Sequence, residues 1–162
     1  MASAFDQVIF MHGPASANRF MLAPLTNQQS HEDGSLSDEE HRWLTMRGEG
    51  GFGLVSTCAS HVDVGGQGFP GQLGCFDDRL FPGLTRLASD LAATGTLPIV
   101  QLHHAGRRAP AELTGRQPVA PVDDEGTGAR ALSIAEVEGV VESFAAAAER
   151  VQRAGFLGVE IH

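Results

Sequence analysis

Ala154-Gly155-Phe156-Leu157-Gly158-Val159-Glu160-Ile161-His162 reads as a buried strand, approached through a glycine and tipped at its C-terminal end by a histidine. The approach has a precedent earlier in the chain, where Gly50-Gly51-Phe52-Gly53-Leu54-Val55-Ser56-Thr57-Cys58 shows the same Gly-Phe lead into a short apolar run. Short apolar runs bounded by glycine suit strands buried on both faces, as in a parallel sheet. The two stretches read as successive units of one repeating β/α plan, interrupted in mid-repeat at His162.

The segments between and around them carry helical signals. Ser37-Asp38-Glu39-Glu40 is a capping box: the Ser37 side chain caps a backbone N–H while Glu40 reaches back, and the helix runs to about Glu49 before Gly50-Gly51. A second helix is predicted near 81–94, with Leu80, Leu84, Leu87 and Leu91 at helical intervals and Gly95 as its stop. Ser133-Ile134-Ala135-Glu136 is another capping box, opening a helix with Val137, Val140, Val141, Phe144, Ala148 and Val151 on one face and Gly155 at its end. Strands are expected at 52–58 and 97–102, the latter with Pro98 near its start, where proline costs least. Residues 5–23 hold two short apolar runs about His12-Gly13-Pro14, a hairpin or strand-turn-strand lid whose second run is the first core strand.

Helices placed between successive strands imply right-handed parallel crossovers. The strands end near 23, 58, 102 and 161, and each is followed by a loop richer in polar and special residues than the loop before it. That asymmetry fits a (β/α)8 barrel with its site on the C-terminal face. A flavodoxin-like open sheet shares the local pattern, but no glycine-rich phosphate loop follows the first strand: Pro24-Leu25-Thr26-Asn27-Gln28 lacks glycine. A whole eight-stranded barrel takes roughly 200 residues or more, so a chain of 162 with four strands is about half of one. The loop of about thirty residues after 102 exceeds ordinary connections, which raises its functional interest.

A net charge of −9 and a pI near 5.1 argue against a phosphate-backbone binder, so no nucleic acid is expected. No apolar run approaches a membrane span, and two cysteines, Cys58 and Cys75, form no ligand or disulfide pattern; a cytoplasmic chain is expected. Thr26, Gln101 and His162 fall at strand tips, with Ala59 at the fourth. A hydroxyl, a primary amide and an imidazole around one mouth supply donors and acceptors for a planar heterocycle, and Gln101 suits the alternating edge of a pyrimidine ring. Each has a plainer reading: Gln101 as a rim amide bonded to backbone, Thr26 as a loop residue with a local bond, His162 as a satisfied core-edge histidine. His103 and His104 point to opposite faces of a strand and so do not share a metal ion; no metal is expected. Arg107 and Arg108 are expected to tie down their loop, Glu160 to face the helical layer, and Cys58 to be a small buried hydrophobe.

At these positions the sequence resembles the Old Yellow Enzyme family of FMN-dependent ene-reductases, the NADH:flavin oxidoreductase barrels. The matching stretches are Asn18-Arg19-Phe20-Met21-Leu22-Ala23-Pro24-Leu25-Thr26, Gly53-Leu54-Val55-Ser56-Thr57-Cys58-Ala59, Val100-Gln101-Leu102-His103-His104-Ala105-Gly106-Arg107, and the 154–162 stretch, in the family's order and spacing. The resemblance implies residues 1–162 as the N-terminal half of a single FMN-binding barrel domain. Pro24, Leu25 and Thr26 would run along the flavin, with the Thr26 hydroxyl tuning its reactive edge. Ala59 would pack by the ring through its backbone and Gln101 would bind the pyrimidine edge. His162 would meet the flavin site and hold the carbonyl or nitro oxygen of an activated alkene, in a ping-pong cycle driven by NADH or NADPH. Gln28 lies where some relatives place a substrate-contacting tyrosine. The family's second oxygen-binding residue, its proton-donating tyrosine and its phosphate loops would come after residue 162, so a complementary C-terminal half-barrel chain is expected. The rival expectation is an inert half-barrel scaffold that self-associates through its open strand edges; a different phosphate-binding barrel is disfavoured by Thr26, Gln101 and His162.

Overall fold

Capping and leucine spacing place the helices. In the computed structural model, which describes residues 2–162, α1 is Asp38–Glu49, and the Ser37 hydroxyl accepts the Glu40 N–H at its start (3.0 Å). The other half of the expected capping box is not made. Glu40 is fully buried, and its carboxyl accepts from the Ser30 hydroxyl, from Cys58 Sγ (3.0 Å) and from Asn27 Nδ2 (3.3 Å). Position 40 faces β2 rather than solvent, and a buried carboxyl takes whatever donors surround it. α2 is Phe81–Ala93, with Pro82 in its first turn and Leu84, Leu87, Ala88 and Leu91 buried. Gly95, at φ +85°, turns the chain out of it.

The sheet contains four parallel strands in the order β1-β2-β3-β6: β1 Met21–Leu22, β2 Leu54–His61, β3 Leu97–His103 and β6 Gly158–Ile161. β2 runs past its expected end because the 72–75 segment adds backbone bonds to it, from His61 N–H to Leu73 O (2.9 Å) and from Cys75 N–H to His61 O (3.0 Å). β1 is shorter than expected, and the N-terminal hairpin contracts to one antiparallel bridge, Val8 with Ser16. Asn18 anchors that region to the start of β2, donating to Gly51 O (2.9 Å) and accepting from Gly53 N–H (3.1 Å).

α4, Ile134–Ala154, has the complete Ser133/Glu136 capping box and ends at Gly155 (φ +104°). Its packed face is only partly the expected one. Ala147, Val151 and Ala154 are buried and Phe144 packs on the core, whereas Val137 and Val141 are exposed. A 21-residue helix is about 32 Å long at 1.5 Å per residue, longer than the strands beneath it; its first turns border the 104–133 loop instead. That loop has short structure of its own: α3 Ala111–Thr114, and the pair β4 Val119–Ala120 and β5 Arg130–Ala131. Arg116 to Asp63 (3.3 Å) pins it to the segment after β2, and Arg107 to Asp124 (3.4 Å) braces it internally, whereas the Arg108 side chain, expected to share that task, has no hydrogen-bond or ion-pair partner among the described residues.

One face of the sheet holds the core. Leu22, Val55, Val100 and Leu102 meet Leu44, Leu84, Leu87, Leu91 and Val151 of the three long helices, each buried leucine contributing about 2–3 kcal/mol. β6 is not the buried strand expected: Val159 and Ile161 are exposed, the latter 67%. They alternate with half-buried Gly158 and Glu160 on an outer strand. Among the described residues, no helix is long and apolar enough to cross a membrane.

Candidate functional site

Because the four strands are parallel, their C-terminal ends share one edge. Register then fixes which side chains are neighbours. Ala59, Gln101 and Glu160 are Cα partners across β2, β3 and β6, and His103 lies opposite His61 two residues higher. The register of β2 shifts between Ser56 and Ala59, an irregularity that leaves Ala59 level with Gln101 rather than at the strand tip. Gln101 likewise sits two residues below the end of β3. His162 donates its backbone N–H to Leu102 O (2.9 Å), which raises it to the level of His103.

These residues occupy the face turned away from the helices. Gln101, 7% exposed, donates its amide N–H to Glu160 Oε1 (2.9 Å). Glu160 therefore does not face the helical layer; in parallel register it shares the face of Gln101, while Val100 and Leu102 point into the core. Two residues on, the His162 ring stacks on the His103 ring with centroids 5.5 Å apart. Gln72, fully buried, donates its amide N–H groups to Ala59 O (2.9 Å) and to His103 Nδ1 (3.1 Å), and its Oε1 accepts from Gly68 N–H (2.7 Å). A backbone carbonyl only accepts, so the Gln72 nitrogen is identified as the donor. His103 Nδ1 is then the acceptor, and the His103 proton sits on Nε2. Burial, with the neighbouring His162, His104 and His61 rings, pushes the His103 pKa down to about 4, so the ring is neutral at pH 7.

The loop after β1 completes the edge. Pro24 is half-buried, and Leu25 and Thr26 are exposed. Gln28 adopts φ +54°, rare for a residue with a side chain. Gly71 packs there so closely that an added Cβ would lie 2.5 Å from Gln28 O, and its carbonyl accepts the Ser30 N–H (3.0 Å). Glu40, through Asn27 and Ser30 on one side and Cys58 on the other, joins this loop to β2 one residue before Ala59. Cys58 is thus a donor as well as a small buried side chain, and burial, then the Glu40 carboxyl, raise its thiol pKa far above normal.

The arrangement offers an exposed hydroxyl at Thr26, an amide oxygen and one amide N–H at Gln101, and two imidazoles above them. That donor set fits the edge and face of a planar heterocycle. Glu160, His103 and Gln72 complete it, and sequence reasoning did not find them as site residues. The strand register of the 154–162 stretch could have turned Glu160 inward; nothing in the sequence signals Gln72. A groove of about 630 Å³ along Phe156, Leu157 and Val159 and a cleft of about 710 Å³ beside Arg116 and Arg130 lie away from Thr26, Gln101 and His162. Among the described residues, no group of three or more His, Cys, Asp or Glu is placed to hold a metal ion.

Comparison with known proteins gives one answer. The sequence model of the NADH:flavin oxidoreductase / NADH oxidase family matches residues 15–162. The chain is 40% identical over 162 residues to a probable NADH-dependent flavin oxidoreductase, YqiG, of Bacillus subtilis, covering 98% of the chain and 43% of that protein. It is 35% identical to the NADH:acrylate oxidoreductase of Vibrio harveyi, covering all of the chain and 17% of the relative. Among solved structures, an Old Yellow Enzyme homologue from Zymomonas mobilis superimposes with a TM-score of 0.91 at 28% identity, over 99% of this chain and 48% of its own. The chain thus spans less than half the length of these relatives, and its four-stranded sheet corresponds to part of their (β/α)8 barrel.

Proposed function

Because the chain belongs to the NADH:flavin oxidoreductase / NADH oxidase family, we propose that residues 1–162 form the N-terminal half of an FMN-binding barrel domain in an ene-reductase that reduces activated C=C bonds at the expense of NADH or NADPH. FMN, when bound, would supply the two-electron hydride chemistry of a ping-pong cycle between NADH or NADPH and the alkene. The observation that carries the reading is the placement of the Gln101 amide and the His162 imidazole on one face of the C-terminal edge, the first hydrogen-bonded to Glu160 and the second stacked on His103.

In this reading Gln101 binds the pyrimidine edge of the ring with its amide. Pro24 and Leu25 line one side of it and Ala59 contributes backbone. Thr26 presents its hydroxyl to the reactive edge, where a hydrogen bond shifts the reduction potential. His162 lies at the flavin and donates an N–H to the carbonyl or nitro oxygen of the substrate, withdrawing electron density from the alkene. The neutral His103 ring keeps His162 stacked and oriented. Gln28 stands where the substrate side chain passes. The exposed Val159 and Ile161, and the outer edge of β6, are the surface that the C-terminal half of the barrel would cover, and that half would bring the phosphate anchor and the proton donor. The protein acts in the cytoplasm.

A second reading has its own observation in that same apolar edge: an inert half-barrel that self-associates through β6. Visible absorption and native mass spectrometry separate the two. The ene-reductase reading expects a flavin band once the chain is mixed with a C-terminal half-barrel, with a mass equal to both chains plus FMN. A flavin-free mass of two or more copies of this chain, unchanged by that mixing, overturns it in favour of the scaffold.

A further inference from the structure

A primary amide looks nearly the same either way round, so a glutamine that reads a ligand edge needs something to set its polarity. For Gln101 that something is a neighbouring carboxylate. Its Cα partner in β6 is Glu160, and the carboxylate oxygen lies 2.9 Å from the amide nitrogen. A carboxylate oxygen accepts, so the amide turns its nitrogen toward Glu160 and leaves its oxygen free. Among the described residues, nothing donates to that oxygen.

We infer that Glu160 is a positioning residue that fixes the Gln101 amide with its oxygen free, so that the pair selects a ligand edge in which an N–H stands beside a carbonyl. Gln101 Oε1 accepts from that N–H while its second amide hydrogen serves the adjacent carbonyl. An imide edge, such as N3–H with its flanking carbonyl in a flavin, has this pattern; the edge of a ring with an acceptor nitrogen at that place does not. The inference rests on the proposal that FMN binds at this mouth. The reversed amide would set N–H against N–H, which gives the choice of orientation its energetic weight.

The experiment measures dissociation constants of FMN and of 3-methyl-FMN, in which the N–H is blocked, by flavin fluorescence quenching in the flavin-binding form of the protein. Native protein is expected to prefer FMN by about tenfold or more, the value of one well-made hydrogen bond to a buried acceptor. Glu160→Gln has nearly the same shape but accepts or donates equally, so it no longer dictates the amide. Its preference is expected to fall to about threefold or less, with the melting temperature monitored in parallel. Glu160→Asp, which keeps the charge and withdraws the acceptor, is expected to fall in the same direction and serves if the first variant does not fold. A preference that stays at its native value in folded variants shows that Gln101 is oriented without Glu160 and overturns the inference. So does a native preference near unity. Absence of FMN binding by the native protein refutes the functional reading itself, a distinct result that takes this inference with it.

Discussion

Removing the carboxyl of Glu40 tests the link between the first helix, the Thr26 loop and β2. Glu40 is 0% exposed and serves three donors: the Ser30 hydroxyl, Cys58 Sγ at 3.0 Å and Asn27 Nδ2 at 3.3 Å. Ser30 and Cys58 are themselves buried, so in Glu40→Ala they are stranded away from water. A stranded buried donor costs about 1–3 kcal/mol; the thiol lies at the low end and the longer Asn27 bond counts for little. With the small cavity added, the loss is on the order of 3–5 kcal/mol, a large part of the ~5–15 kcal/mol that holds an ordinary domain together. Had Glu40 closed a surface capping box, the loss would be only about 0.5–1 kcal/mol. Glu40→Gln retains one acceptor oxygen, and Ser30 can reverse its hydroxyl to meet the new amide, so about 1–2 kcal/mol is expected. Equilibrium urea unfolding reads these differences through Trp43, the single tryptophan, which packs against the core from the same helix. A Glu40→Ala loss below 1 kcal/mol with an unchanged m-value would refute the reasoning.

Gly71→Ala should cost more than the ~1 kcal/mol of an ordinary left-handed glycine, because φ is +66° and the new methyl meets the Gln28 carbonyl; thermal melting gives the value, and proteolysis near Gln28 reports whether the loop loosens. His103 and His61 both have folded pKa values below the ordinary 6.5, principally through burial, so the unfolded chain binds more protons below that pH. Stability should therefore be intact above about 6.5 and fall as pH drops toward 4; His103→Asn should flatten that slope in urea midpoints taken across the range. Asp33 and Glu136, held near 2 chiefly by Ser35 and Arg130 respectively, add a separate loss between about pH 4 and 2. Ile161→Asp, on an exposed side chain, should change the melting of this chain by less than about 0.5 kcal/mol yet abolish capture of a C-terminal half-barrel in a pull-down; unimpaired capture counts against β6 as the joining edge.

Local chemistry carried much of the reading. Ser133 and Glu136 form their box because both partners lie within four residues of each other, and Gly95 and Gly155 end helices because each takes a positive φ that a side chain would resist. Leucine spacing in 81–94 located the core face of α2 without help from any other segment. The half-formed box at Ser37 shows the limit. Ser37 caps as its sequence dictates, but Glu40 is claimed by Ser30 and Cys58, ten residues before it and eighteen after it.

The same division runs through the candidate site. The sequence by itself determined that parallel strands would bring Thr26, Ala59, Gln101 and His162 to one edge, since strand direction follows from strand-helix-strand order. Tertiary structure alone decided their heights and faces. The register shift in β2 levels Ala59 with Gln101, register across β3 and β6 turns Glu160 onto the amide, and the 62–76 loop delivers Gln72 to His103. Those contacts join residues 31 and 59 positions apart, and a strand pairing slipped by one residue would reverse every side chain in them. Periodicity reports which residues of one strand share a face; only the backbone bonds between strands say whose face it is.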